Sequence, residues 1–446
     1  MEGLYTLFTF ILAIAILVAV HEYGHFIVAR KLGIRVEKFS IGFGPALFSW
    51  RSKDQEVEYI IAAIPLGGYV KMLGEQGQDD QTLSESERAR AYDVQAVWKR
   101  AAVAIAGPAY NFFFAIFIFM CIAWLGQQVL APIVGKVMPS STAEQIGLMT
   151  EDKVVAINDR HIYSWRTFEE TLKQHVGQTI QLHIERDGSL IEFNVLLGSP
   201  EKDPLLTNVA RDVFGVSLGK QVYLNSIQED SVAQKSGLHK GDLILFVNGK
   251  TIDDNISFIQ EIRTNVNQAT TLSLQRDGNM LSIAIIPQAD DNGMGRIGVS
   301  LQEKVTHPPI QHQFNFIDGL QYGFTRTWEM TVLTTEVLSK MVSSTISTDN
   351  LGGPIAIAQL ARRSADMGLI PFLIFLAMIS INLGVLNLLP VPILDGGHLV
   401  FLSLEAIRGK PLEQKIMEFS QVVGMMLIMA LMFFAFYNDL LRLFGA

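Results

Sequence analysis

The sequence predicts an α-helical multi-pass membrane protein. It has four transmembrane helices, a reentrant β-hairpin region after the first, and two tandem α+β domains between the second and third. Three observations carry this expectation. The 446 residues are 49% hydrophobic and only 18% charged, with a mean hydropathy of +0.28, too apolar for an ordinary soluble enzyme and long enough for several domains. Apolar stretches on the scale of a bilayer span fall at 4–29, 101–125, 369–400 and 419–440. The polar stretch in the middle repeats itself at a fixed offset. The formal net charge of −9 argues against nucleic acid as a partner. A single cysteine, Cys121, excludes an intramolecular disulfide and leaves His and carboxylate as donors for any zinc site.

The first span runs apolar and uncharged from Leu4 to Val20. A cleaved signal peptide fits poorly, because no Lys or Arg precedes the apolar core and no small-x-small site follows it. At its far end stands His21-Glu22-Tyr23-Gly24-His25. Two His four apart share one helix face, one turn apart, so both imidazoles reach a single ion. Glu22, beside the first His, is placed to take a proton from an attacking water. This is the H-E-x-x-H pattern of zinc hydrolases. The plainer reading is a set of polar residues at a helix end, but two His and a Glu are costly in an apolar segment and are placed there mostly for function.

Residues 30–100 are polar and basic. Within them, Ile41 to Phe48 and Glu56 to Ile64, closed by Pro65-Leu-Gly-Gly-Tyr-Val70, read as β-hairpins. Such backbone reaches membrane depth only where protein or water satisfies it. The alternative is a surface hairpin unrelated to the metal motif. The second span, 101–125, has Gly107-Pro108 in its first turns, where Pro is tolerated. Gly107 permits close helix packing, and Asn111 reads as an interhelical hydrogen bonder.

Residues 127–305 are polar, with short apolar runs. Gly147 to Asn158 aligns with Gly237 to Asn248, and Glu185-Arg-Asp-Gly188 with Gln275-Arg-Asp-Gly278, both offset by 90. Each unit reads strand, short helix, Gly-Leu turn, strand, turn, helix (Thr167 to His175; Ser257 to Thr264) and hairpin. This resembles a tandem of PDZ domains, modules that take an extended peptide at a strand edge. Glu151 stands where the second copy has Gly241, so the first copy's loop departs from the pattern. A rigid spacer or gate is the alternative role for the pair. In residues 306–368, Leu320, Phe324, Trp328 and Val332 recur every four positions, as in an amphipathic helix. Arg326, Glu329, Glu336 and Lys340 argue against a span, so these helices are expected at the membrane surface, broken at Leu351-Gly-Gly-Pro-Ile355.

The third span is interrupted. After Ile370 to Leu386 comes Asn387-Leu-Leu-Pro-Val-Pro-Ile-Leu-Asp-Gly-Gly-His-Leu399, and Pro390 and Pro392 are expected to break the helix. Asp395 is the only acidic residue between Leu369 and Leu404. A lone carboxylate in that setting is a functional candidate, here the missing metal ligand. Arg408, Lys410 and Lys415 follow. The methionines of 419–440 read as packing or lipid contacts. The domains then fall at 1–126, 127–217, 218–305, 306–368 and 369–446. Basic residues cluster after spans one and three, so both loops are expected to be cytoplasmic, with the termini and tandem domains opposite. His21, His25 and Asp395 then meet on one side of the membrane.

Three protein ligands with an open fourth position is the catalytic zinc arrangement. Glu22 would act as base and then return the proton to the leaving amine. Asn387 either binds the substrate backbone or a developing oxyanion, or caps the broken helix.

At this point the chain resembles the site-2 protease family of intramembrane zinc metalloproteases, in particular members that regulate the envelope stress response. The resemblance covers nearly the whole chain. It rests on His21-Glu-Tyr-Gly-His25, Gly42-Phe-Gly44, Gly107-Pro-Ala-Tyr-Asn111, the tandem PDZ-like repeat and Asn387-Leu-Leu-Pro-Val-Pro-Ile-Leu-Asp-Gly397. It implies Zn²⁺ on His21, His25 and Asp395, with Glu22 as base and Asn387 as a substrate clamp. It also implies a membrane-reentrant loop at Gly42, Phe43 and Gly44. The implied substrates are transmembrane segments of single-span proteins already trimmed by an upstream site-1 protease, such as an anti-sigma factor or remnant signal peptides. The implied location is a bacterial inner membrane, with PDZ-like domains and both termini periplasmic and the active site towards the cytoplasm. The tandem would filter substrates by size.

Rival readings are a membrane metal transporter, which would not need Glu22 or PDZ-like domains, and a catalytically inactive PDZ scaffold, although no ligand or base is missing. A peripheral H-E-x-x-H protease with a soluble catalytic domain is weaker, because the motif lies within a span.

Overall fold

The computed structural model describes residues 2–75, 83–200, 203–204, 207–290, 293–343 and 352–444. The chain divides into two compact units, Met1–Gln127 with Gln313–Ala446, and Gln128–His312.

The first unit holds α1 (Glu2–Lys31), β1 (Val36–Arg51), β2 (Glu58–Met72), α2 (Val97–Leu125), α3 (Phe316–Val342), α4 (Pro354–Asp366), α5 (Leu369–Asn387), α6 (Asp395–Arg408) and α7 (Gln414–Phe444). Four helical stretches among the described residues are long and apolar enough to cross a membrane: Gly3–Lys31, Val97–Leu125, Leu369–Asn387 and Lys415–Leu441. The buried centre joins Ala13 and Leu17 of α1 to Ala115 and Ile122 of α2 and Ala377 and Ile381 of α5. Small residues let the backbones close up. A Cβ on Gly24 would fall 2.4 Å from the Ala106 carbonyl oxygen.

Boundaries differ from the sequence expectation at the second and third spans, and the last helix, Gln414–Phe444, overruns the expected 419–440 at both ends. Helix α2 starts at Val97, a turn before residue 101, because Lys99 and Arg100 find partners at its N-terminal end. Lys99 Nζ donates to the Leu32 carbonyl at 3.2 Å. The Arg100 guanidinium meets Glu405 of α6 at 3.2 and 2.5 Å. Pro108 therefore lies inside the helix, not in its first turns. Helix α6 continues to Arg408, beyond the expected end of the third span, and that same Glu405 fastens its second half.

Strands β1 and β2 are long and bent. The first part of β1 faces the end of β2, with Phe39 opposite Val70 and Ile41 opposite Gly68. The last part faces the start of β2, with Phe48 opposite Ile61 and Trp50 opposite Tyr59. The bend falls at Gly42 and Gly44, whose φ angles of +97° and +87° are open to glycine at little cost. Phe43 between them stacks on Tyr69 at 6.3 Å.

In α3, Phe324, Trp328 and Val332 do form a helical stripe, but an exposed one. The opposite face buries Arg326, Thr327 and Met330. Residue 351 of the expected break lies outside the described residues. From Gly353 onward the chain enters α4 with Pro354 at its first turn. Its open backbone N–H groups are met from α7. Buried Asp439 accepts from the amides of Gly353, Ile355 and Ala356 at 3.0, 2.9 and 3.1 Å.

The second unit contains two similar halves with separate cores. In the first, Lys153–Ile157 pairs with Thr179–Arg186, which pairs with Ser189–Leu196, and helix Trp165–Gln174 covers them. In the second, Leu243–Val247 pairs with Thr270–Arg276, which pairs with Asn279–Ile285, beside helix Asn255–Thr264. The 90-residue offset reappears in side-chain detail. Buried Asp152 and Asp242 receive Arg186 and Arg276 in two-pronged contacts of 2.6–2.8 Å. Each Arg also donates to a turn carbonyl, that of Gly147 or Gly237. Glu151 and Gly241 occupy the same left-handed position, φ +74° and +95°. The first copy's loop thus keeps its backbone shape despite the residue change.

Candidate active site

The helical spacing of His21 and His25 brings both rings to the face of α1 that meets α2. Asp395 arrives from a different direction. Helix α5 ends at Asn387, the chain turns through Pro390 and Pro392, and α6 starts at Asp395. The turn is tight. A Cβ on Gly396 would lie 2.3 Å from the Leu389 carbonyl oxygen, and one on Gly397 would lie 2.3 Å from that of Val391. Two glycines after the aspartate are what lets the broken segment fold back on the new helix. Ile393, just before it, sits at φ +98°, a strained angle for a β-branched residue.

The three ligand groups converge. His21 Nε2 lies 3.3 Å from His25 Nε2 and 3.3 Å from an Asp395 carboxylate oxygen. The other carboxylate oxygen lies 3.5 Å from His25 Nε2. Donors placed about 2.0–2.1 Å from a tetrahedral zinc stand roughly 3.3 Å apart, so these separations fit that ion. The three residues form the group able to hold a metal among the described residues. Their side chains are 11–19% exposed, so an ion here would be largely shielded.

The surroundings fit a metal as well. A Cβ on Gly107 would lie 2.2 Å from His25 Nε2 and 2.7 Å from His21 Cε1. The rings fill the groove that this glycine leaves open. His25 Nδ1 lies 2.8 Å from the Val103 carbonyl oxygen, which can only accept. Its proton is therefore on Nδ1, and Nε2 is free for a metal. The Asn111 amide lies 3.2 Å from His21 Nδ1.

Helix α2 thus supplies three contacts to the ligands, at Val103, Gly107 and Asn111. The sequence offered a signal for two of them. Gly107 and Asn111 are one turn apart on one face, and Asn111 is polar within an apolar run.

Glu22 is half-buried and touches the β-hairpin. A Cβ on Gly68 of β2 would stand 2.8 Å from Glu22 Cγ and 2.7 Å from the Ser40 carbonyl oxygen. The hairpin is therefore not a remote surface feature. The residue against Glu22 is Gly68, which sequence reasoning passed over, while Gly42, Phe43 and Gly44 form the bend. Asn387 reaches the site, its amide nitrogen 3.5 Å from His21 Nε2.

Comparison with known proteins shows the family. The family model for Peptidase family M50 matches residues 9–431. The chain belongs to peptidase family M50. This M50 peptidase is similar along its length to named relatives. It is 36% identical to "Protease RseP" of Yersinia pestis, covering 99% of this chain and 100% of the relative. It is 35% identical to "Regulator of sigma-E protease RseP" of Escherichia coli (strain K12), covering 99% of each. It is 36% identical to "Putative zinc metalloprotease PM1991" of Pasteurella multocida (strain Pm70), covering 99% and 100%. Part of the M50 chain, 18%, is similar to the solved PDZ domain of the SdrC-like protein (Lmo2051) from Listeria monocytogenes, at 27% identity, 85% coverage of that domain and a TM-score of 0.17.

Proposed function

We propose that this M50 peptidase is an intramembrane zinc endopeptidase that makes the second cut in single-span membrane proteins already trimmed by an upstream protease. The observation that carries the reading is the convergence of His21, His25 and Asp395 at 3.3–3.5 Å, with Glu22 next in the chain to the first ligand. Zinc held there would lower the pKa of water towards neutrality and polarise a substrate carbonyl.

The chain's own residues do the rest. The Glu22 carboxylate takes the proton of the attacking water and delivers it to the leaving amine nitrogen. The Asn387 amide donates to the scissile carbonyl oxygen as charge develops there. A helical substrate hides its carbonyls, so it must be drawn out before it is cut. The end of β2, from Gly68 onward, runs beside Glu22 and offers a strand edge for an extended segment. The bend at Gly42, Phe43 and Gly44 contacts the substrate further along.

The same reading assigns the rest of the chain. Residues 1–126 and 369–446 form the catalytic membrane domain, its β-hairpin reentrant. Residues 127–217 and 218–305 are tandem PDZ-like domains that turn away untrimmed substrates, supported by their matching order of elements. Residues 306–368 carry helices at the membrane surface. The Lys and Arg clusters after α1 and in the α6–α7 connection support an active site towards the cytoplasm of a bacterial inner membrane, with both termini and the tandem periplasmic. Relatives named as regulators of sigma E support an anti-sigma factor as the natural substrate class. Remnant signal peptides are a second class.

The test pairs zinc content with cleavage of a single-span protein lacking its periplasmic domain. Wild type is expected to bind one zinc and cut. Glu22→Gln should bind zinc and lose turnover, and Asp395→Ala should lose both. Zinc and activity retained in Asp395→Ala would break the proposed pairing of the two membrane motifs.

A further inference from the structure

We propose that Asn111 is a positioning residue for the metal. Its amide oxygen accepts the Nδ1 proton of His21 and so fixes the tautomer in which Nε2 faces the ion. This inference rests on the metal site proposed above.

The two His ligands are held differently. For His25 the backbone decides, because the Val103 carbonyl beside Nδ1 accepts and never donates. For His21 the partner is a side-chain amide, which has a donor end and an acceptor end. A half-turn about χ2 exchanges the two ends. The structure has the amide nitrogen facing Nδ1, and kept that way round it would put the His21 proton on Nε2. That atom lies 3.3 Å from both His25 Nε2 and Asp395, and an N–H there would block a cation. Only the oxygen-inward amide leaves three lone pairs facing one point.

Asn111 is built for a fixed role. It is fully buried. Its backbone carbonyl accepts from Ser380 Oγ of α5 at 2.9 Å, which locks this turn of α2 to the helix that leads into the Asp395 break. Its side chain meets His21 at one end, while the oxygen end has no hydrogen-bond partner where it stands. As it stands, the amide nitrogen faces His21 Nδ1 and the buried oxygen is left without a partner. Turned round, the oxygen accepts from Nδ1 and the nitrogen takes the unpartnered position, so it is the need for a lone pair on His21 Nε2 that selects this orientation.

The experiment measures zinc retention in the purified full-length chain by competition with a chelator. Cobalt-substituted protein adds an absorption spectrum that reports tetrahedral coordination. Asn111→Leu removes the acceptor and is expected to lose zinc about 10–100-fold more readily, the usual effect of removing a ligand's outer partner. Asn111→Asp keeps an oxygen at the same place and is expected to hold zinc within a few-fold of wild type. Ser380→Ala removes the interhelical bond, keeps the amide, and should leave both readouts unchanged. Wild-type zinc retention and cobalt spectrum in Asn111→Leu would overturn the proposal. So would zinc loss in Asn111→Asp, or equal loss in Ser380→Ala and Asn111→Leu. A wild type that binds no zinc would instead remove the metal site itself.

Discussion

Gly68 of β2 lies directly against Glu22 of α1, with no room between them for a methyl group. The residue proposed as the base is thus held by the hairpin as well as by its own helix. Gly68→Val has to displace either the Glu22 side chain or the Ser40 backbone. Peptide cleavage should fall by about 100-fold, as expected when a catalytic group is moved by an ångström. Zinc content should stay at the wild-type level. Metal loss in this variant would show that the hairpin supports the ligands instead of the base.

Gly107→Ala makes the complementary case. The new methyl would fall within 2.2 Å of His25 Nε2 and 2.7 Å of His21 Cε1. The rings must rotate away from the common point, so zinc should be lost together with activity. Zinc analysis of purified protein separates this outcome from that of Gly68→Val.

Asp439 reaches from α7 to three amides at the start of α4. Asp439→Ala leaves those donors without their acceptor inside the protein. The cost should be about 1–2 kcal/mol, in the range of a lost helix cap and the favourable charge at a helix N-terminus. Hydrogen exchange should quicken at the first turns of α4 while zinc content is unchanged.

The Asp242–Arg276 contact gives the second unit a defined acid response. Burial raises the Asp242 pKa, but the Arg276 guanidinium and the His239 amide outweigh it and hold the group below its ordinary value. A depressed carboxylate stabilises the fold above its unfolded pKa, about 3.9, and that contribution fades as the pH falls through the folded value. Exchange protection at residues 220–305 should be steady from pH 7 to about 5 and drop below about 4. In Asp242→Asn the acid-side slope should flatten. Arg276→Leu, which strands a buried carboxylate, should cost about 3 kcal/mol at neutral pH.

Much of this was legible in the residues. The convergence of His21, His25 and Asp395 was legible as a candidate metal site by chemistry alone, since charged or metal-binding groups in apolar runs are rarely placed without function. The tandem units were legible because Gly147 to Asn158 and Gly237 to Asn248 repeat their turn chemistry. What stayed hidden was contact between elements. Gly68 looked like hairpin punctuation, because nothing local says which helix lies behind it. Pro108 looked like a helix start, because the partners that extend α2 by a turn, Leu32 and Glu405, are distant in sequence. Asn111 looked like a generic hydrogen bonder, because its partner His21 is 90 residues away.

The distance along the chain between the halves of the proposed metal centre has a consequence in time. Asp395 leaves the ribosome roughly 370 residues after His25. At about 5–20 residues per second, that is an interval on the order of half a minute. Throughout it the nascent chain carries His21, Glu22 and His25 without the Asp395 carboxylate that the proposed site requires. On the proposed assignment, newly inserted protein cannot cut its neighbours, or itself, before Asp395 has been delivered.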